Sequence, residues 1–149
     1  MMAYASATDP TLRAFILYAM GKIKSPKIAQ AAAMALEAAQ SPNLELRDTA
    51  TRVLGKLAEA IPPESLTGEL KALFLERLYG NLADRNTGVR AKAIRSLGKL
   101  ALHRHLAVPD RAKLKSICQN ILGTDESGEW DRAFVVRREA AEALRHLAG

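Results

Sequence analysis

The chain has 149 residues, of which 48% are hydrophobic, 26% charged and only 5% aromatic, and its formal net charge is +6. This length predicts one domain, and the composition is ordinary for a soluble globular protein. No stretch approaches the roughly 20 apolar residues of a membrane span, no basic region precedes an apolar run as in a secretion signal, and a single cysteine excludes an internal disulfide. We therefore expect a cytoplasmic protein without membrane contact.

Helical periodicity and capping signals predict a chain made of successive helices. Asp9, Ser25 and Ser41 each precede a proline, which is typical of a helix start. Gly123 follows an apolar stretch where a helix-terminating glycine belongs. We predict seven helices, at roughly 10–23, 26–40, 43–60, 64–82, 86–105, 109–122 and 131–148.

Four of these helices repeat one pattern. Each repeat opens with an aliphatic residue and an arginine, and the positions −1, +3, +7 and +10 from that arginine are apolar in all four. This spacing is the stripe of a helix and not the alternation of a strand. The arginines are 34, 43 and 47 residues apart, which leaves room for two helices in each unit. The repeated segments are Leu12–Ile23, Leu46–Leu57, Val89–Leu100 and Val136–Leu147, and their register arginines are Arg13, Arg47, Arg90 and Arg137.

Two further positions of the repeat predict contacts between units. Gly21, Gly55 and Gly98 stand at +8 inside predicted helices, where glycine costs roughly 1 kcal/mol relative to alanine. We therefore expect the next helix to approach closely there. Asp84 and Asp131 stand six residues before their arginines and can accept turn N–H groups or pair with an arginine of a neighbouring unit. We accordingly assign the register arginines to structural pairing and exclude them from the binding site.

The unit reads as an aliphatic helix, a turn with Asp, and then Val-Arg-x-x-Ala-x-x-x-Leu-Gly-x-Leu, and it resembles the HEAT repeat. Residues 84–100 and 131–147 match best. The resemblance implies an all-α, right-handed α-solenoid of stacked helical hairpins, of HEAT/ARM type, forming a single domain over residues 1–149. The first repeat has only its second helix, so either the chain is cut from a longer solenoid or helix 10–23 is covered by something else. A structural subunit is an alternative interpretation, which predicts homo-oligomers joined through a terminal helix, either 10–23 or 131–148.

The resemblance also implies that the second helix of each hairpin lines the concave side, so that positions +5 and +9 face inward. The two central units then present Arg-x-x-x-Lys twice, although like charges at i and i+4 mildly destabilise a helix. Residues 83–120 carry nine basic and two acidic residues, a local net charge of +7. An ordinary solvated surface is the alternative interpretation. The predicted binding site on the concave face is Lys22, Arg52, Lys56, Arg95 and Lys99. Further basic residues of this region are Lys92, Arg104, Arg111, Lys113 and Lys115.

A basic concave face predicts a non-catalytic interaction or scaffold module that binds an acidic protein or peptide. Binding to a nucleic-acid backbone is one alternative, since phosphates require only clustered Lys and Arg. No aromatic residue occurs between residues 80 and 129 to stack on bases, which argues against single-strand recognition. HEAT-like proteins also include DNA glycosylases and bilin lyases, and the resemblance keeps a DNA-repair type and a bilin-lyase type as further alternatives. No specific pocket residue of either carries over to this chain.

No motif in the chain indicates catalysis. His103 and His105 would diverge on a helix and lack a third ligand for a metal, although they would extend the basic region at low pH. Cys118 lies on an apolar stripe without a histidine nearby. The segment at 124–131 is expected to be an exposed acidic loop, with Trp130 as a packing anchor for the last hairpin. We therefore predict no catalytic residue, no metal site and no cofactor, while enzymatic activity remains an open question.

Overall fold

A computed structural model describes residues 25–66 and 68–148 of the chain. Within these residues the chain forms six α-helices and no β-strand, which confirms the all-α class for this part. The sequence predicted about seven helices, and the one at 10–23 lies outside the described residues. The six helices are α1 (Pro26–Ala38), α2 (Leu44–Ala60), α3 (Gly68–Asn81), α4 (Thr87–Leu102), α5 (Val108–Leu122) and α6 (Phe134–Ala148).

Helices α1, α2 and α4 each begin at a side-chain cap, and one of these caps differs from the prediction. Ser25 caps α1 as predicted, with its Oγ accepting a backbone N–H at 3.4 Å. The cap of α2 is Asn43 and not Ser41, because the Asn43 side chain accepts a hydrogen bond from the backbone N–H of Leu46 at 3.0 Å. Asn86 caps α4 in the same way, at 3.1 Å. Both asparagines stand four residues before a register arginine, so the cap belongs to the repeated unit.

The second helices of the three hairpins pack against one another in series, α2 on α4 and α4 on α6. The first helices α1, α3 and α5 each pack against the second helix that follows them. The core is built from the apolar stripe: Leu54, Leu97 and Ala140 are fully buried. Leu46 is an exception, since its side chain is 51% exposed although Val89 at the same offset is buried.

The glycines at +8 lie where the next second helix crosses. A Cβ on Gly55 would stand 2.9 Å from the backbone Cα of Ser96 on α4. A Cβ on Gly98 would stand 3.3 Å from the Cα of Ala143 on α6. Ser96 and Ala143 both occupy the +6 offset, so the same contact, between +8 of one unit and +6 of the next, occurs twice. The expected close approach is confirmed for these two glycines, and Gly21 lies outside the described residues.

The register arginines join successive units. Arg90 donates through Nε and Nη2 to the Asp131 carboxylate at 3.0 and 3.2 Å, and through Nη1 to the carbonyl oxygen of Asp84 in its own turn at 3.0 Å. Arg47 binds the Asp84 carboxylate through the same two groups. Its hydrogen bond holds the pKa of Asp84 below the ordinary 3.8. The structural pairing predicted for the register arginines is therefore confirmed for Arg47 and Arg90.

Helix α4 ends earlier than predicted, at Leu102 and not at 105. Arg104 adopts a left-handed conformation with φ of 65°, and the N–H of His105 bonds to the carbonyl oxygen of Leu100 at 2.9 Å, which closes the helix end. The chain then turns His105 into the protein, where it is 2% exposed. His103 and His105 therefore do not share a helix, and the expectation that His105 extends the basic surface is wrong.

Burial of His105 predicts a pH-dependent stability. Its Nε2 lies 2.8 Å from the carbonyl oxygen of Ala58, so the ring donates from Nε2, while Nδ1 is buried without a partner. Desolvation lowers the pKa of His105 below 6.5, and His103 and Lys71 lower it further. The unfolded chain binds a proton below that value and the folded chain does not.

We therefore expect the melting temperature to fall as the pH is lowered from about 7.5 to about 5.5. The variant His105→Gln, which keeps a donor for Ala58, should show a smaller fall. His103→Gln should keep most of the fall, because desolvation and not His103 is the largest cause of the lowered pKa of His105. Thermal unfolding followed by circular dichroism measures both. An unchanged pH dependence in His105→Gln would contradict this assignment.

Candidate binding groove

The structure brings four of the five predicted site residues to one groove. Arg52 and Lys56 lie one turn apart on α2, Arg95 and Lys99 lie one turn apart on α4, and these two helices pack together. Lys22 lies outside the described residues. The groove has a volume of about 280 Å³ and is lined by Arg52, Lys56, Lys92, Arg95, Ser96 and Lys99. We call it the basic groove.

The cations of the basic groove are not equivalent. Lys99 forms an ion pair with Glu59 on α2, with its Nζ 2.6 Å from a carboxylate oxygen. This hydrogen bond lowers the pKa of Glu59, so the carboxylate stays charged. Arg52, Lys56 and Arg95 are exposed and form no ion pair with any described residue. The sequence did not predict the role of Glu59, because this residue lies beyond the repeated segment.

Lys92 also lines the basic groove, although it does not stand at the +5 or +9 offset that was predicted to face inward. Its Nζ lies 2.9 Å from the Asp48 carboxylate across α2 and α4. The other basic residues of the 83–120 region are dispersed. Arg111 donates to the carbonyl oxygens of Ala101 and Leu147, at 3.3 and 2.8 Å, and so closes two helix ends. The local charge of +7 is therefore not one continuous surface.

The basic stripe ends at α4. A second groove, of about 390 Å³ between α4 and α6, shares Arg95 and Lys99 with the basic groove. Helix α6 adds the carboxylates of Glu139 and Glu142 to it, together with Arg138. Glu142 occupies the +5 offset that carries arginine in the two preceding units, and it pairs with Arg145 at 2.8 Å. Among the described residues, Lys and Arg at the +5 and +9 offsets thus occur only on α2 and α4.

The groove has the chemistry of an anion receptor. Guanidinium and ammonium groups donate hydrogen bonds to carboxylates or phosphates. Cys118 is buried, and burial raises the pKa of its thiol to about 12, so it is a protonated core residue and not a nucleophile at neutral pH. Across residues 25–66 and 68–148 no three His, Cys, Asp or Glu side chains come close enough to hold a metal ion. None of the helices described is sufficiently long and apolar to cross a bilayer.

The acidic segment 124–131 is exposed, as predicted, and is ordered by its own side chains. Asp125 accepts a hydrogen bond from the Asn120 amide at 3.1 Å and another from the Ser127 hydroxyl at 2.7 Å. These bonds lower the pKa of Asp125. Glu126 and Glu129 are exposed, and neither side chain forms an ion pair with a described residue. The loop therefore carries two carboxylates available to a partner.

Compared with known proteins, the chain matches no protein-family model, no curated protein and no solved structure. The likeness to the HEAT repeat therefore depends on the repeated residues themselves. By its own fold and site, the described part of the chain is an all-α protein of packed helices with a basic groove between α2 and α4.

Proposed function

We propose that this protein is a non-catalytic interaction module of HEAT-like type, a right-handed α-solenoid whose concave basic groove binds an acidic peptide or protein surface. Three features support the solenoid: α2, α4 and α6 pack in series, the contact between +8 and +6 occurs twice, and the arginine–aspartate pair occurs twice. A unit that repeats its contacts with its neighbour is the basis of a solenoid.

The observation that carries the proposed function is a set of exposed cations on two adjacent helices. Arg52 and Arg95 have no carboxylate partner within the described residues, and Lys56 forms no ion pair there, although its charge acts on Glu59. Cations held near one another repel, so this arrangement does not stabilise the fold. An acidic ligand would relieve that repulsion and gain charge-assisted hydrogen bonds. Long-range attraction would also speed its encounter with the groove.

The extent of the positive surface favours a short acidic segment over a nucleic acid. Glu59 borders the basic groove on one side, and Glu139 and Glu142 line the next groove. A nucleic-acid backbone presents phosphates at regular intervals over a long track, and its binding strengthens with each phosphate contacted. A peptide with a few carboxylates matches a basic groove formed by two helices. Nucleic-acid binding is a separate outcome of the test below.

A charge-reversal experiment tests the groove. Fluorescence anisotropy would measure binding of a labelled oligoglutamate peptide to the wild type and to Arg52→Glu/Arg95→Glu. We expect the double variant to bind at least about tenfold more weakly, equivalent to 1.4 kcal/mol or more. Lys99 is left unchanged because a glutamate there would face Glu59, and the loss of that ion pair would confuse the result.

The matched control is Arg85→Glu/Lys115→Glu, which changes the net charge equally at two exposed residues outside the groove. It should bind within about threefold of the wild type. Equal loss in both variants, or none in either, would contradict the proposal. Tighter binding to duplex DNA that weakens steeply between about 50 and 200 mM salt would favour the nucleic-acid alternative instead.

A further inference from the structure

Two register arginines, Arg47 and Arg90, bind both their own turn and an aspartate of the next unit. The last one, Arg137, makes only the bond to its own turn among the described residues. Its Nη1 donates to the carbonyl oxygen of Asp131 in its own turn at 2.8 Å. Arg47 and Arg90 make the equivalent bonds to their own turns, at 3.1 and 3.0 Å. The guanidinium of Arg137 is therefore held in the orientation that its two equivalents adopt.

The other half of the pattern is missing. Arg47 and Arg90 use Nε and Nη2 to bind an aspartate of the following unit, whereas Arg137 forms no ion pair among the described residues. Its guanidinium lies 4.8 Å from the centre of the Trp130 ring and 5.9 Å from that of Phe134. These aromatic side chains are 50% and 68% exposed. Trp130 nevertheless lies between Gly123 at the end of α5 and Arg137 on α6, which is compatible with the packing role that the sequence predicted.

A further unit that stacked on α6 as α6 stacks on α4 would have to displace a charged side chain. Arg145 occupies the +8 position at which Gly55 and Gly98 admit the next helix, and its side chain is 76% exposed and paired with Glu142. A helix crossing here would meet that side chain. A group that binds the Nε and Nη2 donors of Arg137 must therefore approach the turn without lying across α6.

The same surface carries free carboxylates. Glu129 adjoins Trp130, whose ring lies beside Arg137, and Glu126 belongs to the same exposed loop. The other two carboxylates of this loop are already bound, Asp125 to Asn120 and Asp131 to Arg90. We define the turn face as Glu126, Glu129, Trp130, Phe134 and Arg137. It combines a guanidinium, two carboxylates and exposed aromatic rings in one place.

We propose that two copies of the chain associate through the turn face, with Arg137 of each copy binding the Glu126 and Glu129 carboxylates of the other. A two-fold contact needs a self-complementary surface, because each side presents the same residues. The turn face meets this requirement, since Arg137, Glu126 and Glu129 form no ion pair with any described residue. Trp, Phe and Arg are also the residues enriched at protein interfaces, where their burial contributes most.

Analytical ultracentrifugation of the full chain, from about 1 to 100 µM, tests the association. We expect a concentration-dependent dimer, and Arg137→Glu should raise its dissociation constant at least about tenfold. The control Arg85→Glu makes the same charge change at an exposed residue in the equivalent turn of the preceding unit, and it should leave the dimer intact. Circular dichroism checks that each variant folds.

A charge exchange separates association from a structural role of Arg137. Glu126→Lys/Glu129→Lys alters only exposed loop side chains and should also weaken the dimer at least about tenfold. Combining it with Arg137→Glu should restore association, since each reversed group again faces an opposite charge. A monomeric wild type over this range, or a dimer that survives the loop variant, would overturn the proposal. Neither result bears on the peptide binding of the basic groove, which lies on other helices.

Discussion

Replacing Gly55 by alanine is expected to destabilise the protein by about 1–3 kcal/mol, the usual cost of overpacking. The added Cβ would stand 2.9 Å from the Cα of Ser96, and a backbone atom cannot rotate away. Ser96 is also held in place, because its hydroxyl donates to the carbonyl oxygen of Thr51 at 2.8 Å inside the protein. Relief would require α2 and α4 to separate along the line where they pack. Urea denaturation followed by circular dichroism measures the effect.

Gly80 offers a matched control for this substitution. It lies in α3, and a Cβ there would meet no atom within 4 Å. Gly80→Ala should therefore stabilise the protein by about 0.4–1 kcal/mol, since alanine restricts the unfolded chain and favours the helix. The two variants differ only in whether a neighbouring helix approaches. A Gly55→Ala protein as stable as the wild type would show that the helices are not locked at this distance.

Replacing Asp84 by alanine is expected to lower the melting temperature by about 5–10 °C. The Asp84 side chain is 9% exposed and accepts two hydrogen bonds from Arg47 and one from the N–H of Asn86 at 2.9 Å. Its loss leaves the guanidinium of Arg47, which is 21% exposed, without a carboxylate. Leaving one partner of a largely buried charged pair uncompensated is more costly than removing both.

The matched control is Glu76→Ala, which removes a carboxylate that is 72% exposed and lies 3.5 Å from Arg77. It should change the melting temperature by less than about 2 °C, because the exposed carboxylate contributes little and Arg77 keeps its hydrogen bond to the carbonyl oxygen of Leu36. The double variant Arg47→Ala/Asp84→Ala should lose less than the sum of its single variants, because the two side chains are coupled. Additive losses, or an Asp84→Ala protein that melts like the control, would contradict a structural role for this pair.

The same pair predicts the direction of an acid effect. Because Arg47 lowers the pKa of Asp84 below 3.8, the stabilisation is present above that value and disappears as the pH falls through the lower pKa of the folded state. The difference in melting temperature between the wild type and Asp84→Ala should therefore shrink in acid.

Contacts between equivalent positions could be predicted from the sequence because a repeat places the same residues against one another at every junction. The pairing of Arg47 with Asp84 and the close approach at Gly55 both follow from offsets that recur along the chain. The grouping of Arg52, Lys56, Arg95 and Lys99 at one groove follows in the same way, since +5 and +9 lie on one side of each second helix.

Residues outside the repeated offsets could not be assigned in this way. The pairing of Lys99 with Glu59 joins two helices at positions that share no offset. His105 is buried because α4 ends at a left-handed Arg104, whereas the local pattern would have allowed the helix to continue. Trp130 is half exposed because its ring contacts the guanidinium of Arg137 at the surface and is not enclosed by the core.

The sequence by itself determined the helical class, the period of the units and the contacts that recur with that period, because periodicity and spacing are properties of the chain alone. Only the tertiary structure decided which cations remain without a carboxylate, which histidine is buried, and how the last unit differs from the others. Those outcomes depend on distances between side chains of different helices, which vary once the helices pack even where the local pattern is the same.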